Sequence, residues 1–241
     1  MIETLAALLF AHVIADFVLQ TGYIALNKRR APVLLLHAAI VLLTAQAALG
    51  RVDLWELPAL AALHVLTDWL KARFVRPGLA AFLGDQGTHI ATLTLLAAWR
   101  PDLWAGGLWA GLGAHWLPAL MVLIAGATLT VRAGGFAVGL LMQPWANDDL
   151  PKGLTNGGTL IGLLERGLIF LLVMVNQPAG IGFLVAAKSV LRFETTSHDQ
   201  RAGEYVIIGT LASFIWALVF AYATRLLMTA LPPLGILPVH P

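Results

Sequence analysis

Apolar stretches near residues 3–23, 31–49, 56–75, 79–98, 117–141, 159–176, 179–192 and 204–230 follow one another along the chain with short breaks. Most approach the ~20 residues that carry a helix across about 30 Å of hydrocarbon. In that solvent each backbone N–H and C=O must be satisfied within its own segment or in a closed barrel. Long apolar runs without period-two alternation select the helix. The expected fold is therefore all-α, a polytopic transmembrane helical bundle of about eight spans. The chain is 59% hydrophobic and 12% charged, about half the charge of a soluble domain (~25%). Residues 103–116 are the weak stretch. Trp104, Trp109 and Trp116 suit an interfacial helix there, and a short extra span is the alternative.

The run Gln143 to Gly158 contains two prolines and turn-forming Asn and Asp residues, which end helices. It divides the chain into an N-terminal membrane domain, 1–142, a cytoplasmic loop, 143–158, and C-terminal membrane helices, 159–241. Basic residues collect on the cytoplasmic side. Lys28, Arg29 and Arg30 follow the first stretch, Lys71, Arg73 and Arg76 end the third, and Lys152, Arg192 and Arg201 fall in later breaks on the same side. The N-terminus is expected outside, in a bacterial inner membrane. The first stretch has no positive leader and holds His12 and Asp16, so it reads as a span rather than a cleaved signal. A net charge of +2 gives no footprint for nucleic acid.

Seven His and Asp residues lie within the first four of these apolar stretches: His12, Asp16, His37, His64, Asp68, Asp85 and His89. Such groups are expensive in hydrocarbon, so their grouping is informative. His12/Asp16 and His64/Asp68 share the His-x-x-x-Asp spacing, and Asp85/His89 repeats it in reverse. Residues four apart share one helix face, about 6 Å apart by rise, so each pair can aim two ligands at one point. Three neighbouring carboxylates repel one another and require a bound cation, proton sharing or an ion pair to a residue such as Lys71. Three readings stay open: a metal site, a proton or ion relay, and structural pairing.

With no cysteine in the chain, imidazole and carboxylate are the remaining ligands. Their mixture suits zinc, manganese or iron better than calcium or magnesium. Haem held by two histidines would give the three aspartates no role. Seven candidates exceed one tetrahedral site, so either two metals bind or some residues support the ligands. Two metals would favour phosphoryl or acyl hydrolysis, with Asp68, Asp85 and Lys71 as candidate catalytic residues. Gln20, Gln86 and Thr67 are candidates to orient ligands or water. The sequence lacks a Ser-His-Asp order or nucleophile elbow, so an enzyme would be metal-dependent. The other classes are a proton- or metal-coupled transporter and a non-catalytic assembly subunit.

His12-Val-Ile-Ala-Asp16-Phe-Val-Leu-Gln20 with Asn27-Lys28, then His37, His64-x-x-x-Asp68-x-x-Lys71 and Asp85-Gln86-x-x-His89, resembles a bacterial membrane family catalogued as a domain of unknown function. The resemblance covers about residues 5–125 and implies a polytopic inner-membrane protein without implying an activity. A looser similarity is to bacterial membrane-bound metal-dependent hydrolases, which also carry His and Asp in early spans.

The second half holds Glu165, Arg166, Lys188 and Arg192. Glu165 can pair with Lys188 or Arg192. Alternatively, Arg166, Lys188 and Arg192 bind an anionic substrate group, since the arginine fork matches phosphate oxygens. A phospholipid or polyprenyl phosphate in the bilayer is the expected substrate. Gly158/Gly162 and Gly107/Gly111 have the spacing of close helix packing or homodimerisation. His115, His198 and His240 stand apart from the cluster.

Overall fold

The computed structural model describes residues 1–146, 156–196 and 200–234, with side chains for all of these except 190–196. All regular structure among them is helical. The chain forms two compact units, Met1–Thr128 with Leu226–Pro241, and Leu129–Arg225. These units are defined by packing rather than by the 143–158 break.

The first unit contains α1 (Ile2–Ile14), α2 (Gly22–Leu26), α3 (Ala31–Leu49), α4 (Glu56–Phe74), α5 (Leu79–Trp99), α6 (Leu108–Gly111) and α7 (Leu117–Thr128). A π-helical turn, Ala15–Leu19, extends α1. Helix α1 packs against α3, α5 and α7, while α4 packs against α3 and α5. Ala6, Ala7, Ala11 and Ala15 are buried along α1. These short side chains let neighbouring backbones approach closely. The core around them joins Leu8, Leu49, Leu57, Leu93, Leu103 and Trp104.

Polarity is arranged inside out relative to a water-soluble bundle. On α3, Leu35 is 69% exposed whereas His37, two residues on, is 0% exposed. An outward apolar face around an inward ionisable one is what a bilayer demands. Five helical segments are long and apolar enough to cross a membrane: Ile2–Leu19, Ala31–Leu49, Leu117–Trp145, Gly157–Met174 and Gln200–Thr229. Helices α4 and α5 are of spanning length, 19 and 21 residues, and α4 carries Glu56, Asp68, Lys71 and Arg73.

The first apolar stretch stops short of residue 23. Gln20 turns extended, and the Thr21 hydroxyl accepts from the Ile24 N–H at 3.3 Å to start α2. This side-chain cap outcompetes continuation of the preceding helix. Residues 103–116 hold only the four-residue α6, too short to cross a membrane. Trp109 Nε1 donates to Ala47 O at 2.8 Å, and Leu108 N donates to Gly50 O at 3.1 Å. Gly107 permits this docking, because a Cβ there would lie 2.0 Å from Leu49 O. At the same end, Arg100 contacts the buried Glu56 carboxylate. On the exposed turn, the Arg51 guanidinium holds the Asp53 carboxyl below its ordinary value by hydrogen bonding.

The second unit begins with a second π-helical turn, Leu129–Ala133, followed by α8 (Gly134–Met142) and a 3-10 turn at Gln143–Trp145. Then come α9 (Gly157–Met174), α10 (Ala179–Thr196) and α11 (Gln200–Thr229), the last contributing residues up to Arg225. Ile169, Phe214 and Ala217 form its core. Asn176 adopts φ 58° between α9 and α10, and its Oδ1 accepts from Arg225 Nη1 at 2.8 Å.

Candidate metal centre

All seven of the candidate His and Asp residues are buried in the first unit. Four helices and the π turn deliver them. His12 comes from α1 and Asp16 from the π turn, His37 from α3, His64 and Asp68 from α4, and Asp85 and His89 from α5. The π turn is closed by Gln20 N donating to Ala15 O at 2.9 Å, five residues back. Such widened turns recur at functional sites because they re-aim a side chain without ending the helix. Asp16 sits in this one.

Four atoms converge most closely. His37 Nε2 lies 3.4 Å from Asp16 Oδ1 and 3.3 Å from Asp68 Oδ2. His64 Nε2 lies 3.2 Å from Asp16 Oδ1 and 3.5 Å from Asp68 Oδ2. The two Nε2 atoms are 3.2 Å apart. Zinc ligands at 2.0–2.1 Å in a tetrahedron stand about 1.63 bond lengths apart, or about 3.3–3.4 Å. Each of the five separations lies close to that edge length.

Hydrogen bonding alone satisfies this group poorly. Each imidazole nitrogen carries at most one proton, yet each Nε2 faces two carboxylate oxygens and the other nitrogen. Asp16 Oδ1 and Asp68 Oδ2 are buried without a hydrogen-bond partner, a costly state for a polar atom. A cation among the four atoms would satisfy all of them. The second oxygen of Asp68 is already used, since Lys28 Nζ donates to Oδ1 at 2.7 Å.

A second pole adjoins the first. Gln86 Nε2 donates to Asp85 Oδ2 at 3.3 Å, which fixes the amide orientation. Gln86 Oε1 then accepts from His12 Nε2 at 3.2 Å. In that arrangement the neutral His12 ring carries its proton on Nε2 and turns a bare Nδ1 toward Asp16 Oδ2, 3.9 Å away. Asp85 Oδ1 and His89 Nε2 face each other at 3.5 Å, and both are buried without a hydrogen-bond partner. Lys71 Nζ donates to Asp85 Oδ2 at 2.6 Å. The His64 and His89 rings stack with centroids 3.9 Å apart. Three groupings bring ligand atoms close enough to hold a metal ion: His12/Asp16/His64, His37/His64/Asp68 and Asp68/Asp85/His89.

Thr67 is half-buried and its hydroxyl donates to Leu63 O in its own helix rather than to a residue of the cluster. Gln86 does donate to the cluster, while Gln20 Oε1 is buried without a partner. His115 is exposed and outside the cluster. Lys28 reached the site without a sequence signal of its own, because in a basic triplet it reads as a topology marker. No Pro, Gly or other local signature marks the π turn.

In the second unit, Lys188 Nζ pairs with Glu165 Oε2 at 2.6 Å, the first of the two pairings open to Glu165. Arg166 is buried, donating through Nε to Val131 O and through Nη1 to Ser213 Oγ, both at 3.0 Å. Gly162 gives its guanidinium clearance, since a Cβ there would lie 3.0 Å from Nη1. Gly158 and Gly111 approach nothing. The Arg192 side chain, Asp148, Asp149, Lys152, His198 and His240 lie outside the described residues.

Residues 4–104 match the model of a family described as a protein of unknown function (DUF3307). All seven clustered residues, with Lys28, Lys71 and Gln86, fall inside that segment. No curated protein and no solved structure matched the chain.

Proposed function

We propose that the chain is a multi-pass protein of the bacterial inner membrane, N-terminus outside, whose His/Asp centre binds zinc, manganese or iron and hydrolyses or transfers a lipid-linked phosphate. The observation that carries the metal is the set of four converging atoms, His37 Nε2, His64 Nε2, Asp16 Oδ1 and Asp68 Oδ2, at tetrahedral edge lengths. Asp85 and His89, sharing Asp68, offer a second position. A bound metal supplies Lewis acidity toward a phosphoryl oxygen and acidifies a water molecule.

The residues around the centre have complementary tasks. Asp85 Oδ1, free of hydrogen bonds, is placed to take the proton of an attacking water. The Lys71 side chain is 34% exposed and Asp85 only 4%, so the ammonium bridges the buried carboxylate to the surface. There it can meet an incoming phosphate oxygen. Lys28, at 12% exposure on Asp68, offsets charge from the opposite carboxylate. Arg166, Lys188 and Arg192, all within the second unit, remain proposed contacts for an anionic group there.

The test is elemental analysis of detergent-purified chain beside His64→Ala and Asp68→Asn, with folding checked by size exclusion. It is followed by phosphate release from phosphatidic acid and polyprenyl diphosphate. One or two metals per chain, lost in both folded variants together with phosphate release, is the expected result. A wild type that takes up no zinc, manganese or iron on reconstitution overturns the metal centre and leaves a proton relay. Metal without turnover of any lipid phosphate overturns the hydrolase assignment alone.

A further inference from the structure

The second unit has an open-sided cavity of about 420 Å³ whose lining includes Gly158, Glu165, Arg166, Lys188, Tyr205 and Ser213. Arg166 is 4% exposed, and its guanidinium is seated among glycines. A Cβ at Gly134 would lie 2.9 Å from its Cδ, and one at Gly135 would lie 3.2 Å from its Nη2. Nε and Nη1 are spent on Val131 O and Ser213 Oγ. Among the described residues, Nη2 has no acceptor and the guanidinium no carboxylate within ion-pair distance. Glu165 is engaged by Lys188 at 2.6 Å. A buried cation in an apolar helix is expensive unless an anion meets it.

A separate feature lines the same cavity. Helix α9 begins at Gly157 with no side-chain cap, its Asn156 being left-handed at φ 60°. Leu160 N donates to Asn156 O, so the N–H groups of Gly157, Gly158 and Thr159 precede the first intrahelical bond. All three residues line the cavity. Among the described residues these N–H groups have no acceptor, and N–H groups so placed at the start of an 18-residue helix favour an anionic oxygen. Gly158 leads Arg166 by eight residues, about 12 Å along the axis. The two donor groups therefore suit an elongated ligand better than a bare ion.

We infer that this cavity binds an organic phosphate, its phosphate held by Arg166 Nη2 with Lys188 nearby and its remaining polar groups reaching the uncapped start of α9. The planar guanidinium, fixed by two protein contacts, matches phosphate oxygens with little ordering cost. This inference extends the phosphate chemistry proposed above, but it requires no metal and uses residues of the second unit alone.

The test is isothermal titration of the full chain in a neutral detergent with chelator, using sn-glycerol 3-phosphate, dihexanoyl phosphatidic acid and, as the neutral-headgroup control, dihexanoyl phosphatidylcholine. Arg166→Lys keeps the charge but loses the fork. Gly158→Leu fills the cavity where nothing lies within 4 Å of an added Cβ, so it blocks the site without a clash. We expect saturable binding of a phosphomonoester, weakened at least about tenfold in both variants and retained in Asp16→Asn, whose metal centre is disabled. Binding of both phosphomonoesters identifies the phosphate group as sufficient, and binding of phosphatidic acid alone identifies a lipid headgroup. No phosphomonoester binding, equal affinity for phosphatidylcholine, or unchanged affinity in Gly158→Leu overturns the inference. Loss of binding in Asp16→Asn would place the phosphate at the metal centre and overturn it as well.

Discussion

Replacing Asp16 by Asn separates a metal centre from a hydrogen-bonded polar core, because the two predict opposite effects on the metal-free protein. The carboxylate is 5% exposed and presents Oδ1 to His37 Nε2 at 3.4 Å and His64 Nε2 at 3.2 Å. If the cluster exists to bind a cation, the metal-free protein holds Asp16 and Asp68 against each other with an unsatisfied oxygen on each. Removing one charge then leaves its stability unchanged or higher. Metal present at a thousandfold its Kd stabilises wild type by about 4 kcal/mol. At ~2–4 °C per kcal/mol for a chain of this size, the midpoint rises by about 8–16 °C. Loss of a ligand weakens metal affinity by at least the ~10–100-fold typical of disturbing a ligand's support, so at least about one third to two thirds of that rise disappears in Asp16→Asn.

The assay is thermal unfolding in detergent, followed by circular dichroism, for chelated and zinc-loaded samples of both proteins. If hydrogen bonds to two histidines are instead what Asp16 provides, the variant unfolds earlier without metal and zinc shifts neither protein. That pattern would refute the argument from converging donor atoms.

Two further outcomes follow from the same geometry. Ligating imidazoles must be deprotonated, so the zinc-dependent rise in midpoint present near pH 8 should shrink as pH falls toward about 5. A pH-independent rise measured over that range would place the zinc elsewhere. Gly107→Val drives a side chain into the Leu49 carbonyl, where even a Cβ would sit at 2.0 Å, and should cost about 2–4 kcal/mol in thermal or denaturant unfolding. Gly111→Ala meets nothing and should be neutral, and equal costs for the two would refute the docking of α6 against α3.

Helix type and the membership of the cluster were legible in the sequence, because burial cost in hydrocarbon leaves few innocent explanations for His and Asp at four-residue spacing. That argument identified His64/Asp68 as one face, and the structure places their facing atoms 3.5 Å apart. It also included His37, which has no partner on its own helix and acquires meaning only when α3 packs on α4. What sequence could not supply was tertiary approach. Lys28 lies forty residues from Asp68, and the widened turn at Ala15–Leu19 has no compositional mark. Thr67 was misleading for a simple reason. It sits beside Asp68 in sequence, but 100° of helical rotation turns it outward.

The four converging atoms come from three elements, the π turn, α3 and α4, with Asp16 first and Asp68 last. A growing chain that has released only its first forty residues owns one carboxylate and one imidazole of the set, a pair too poor to retain an ion. The third and fourth donors arrive together on one helix face, within five residues of each other. If the centre binds an ion, capture therefore waits for α4 to enter and dock, and the order of helix insertion sets the earliest moment at which a metal can be held.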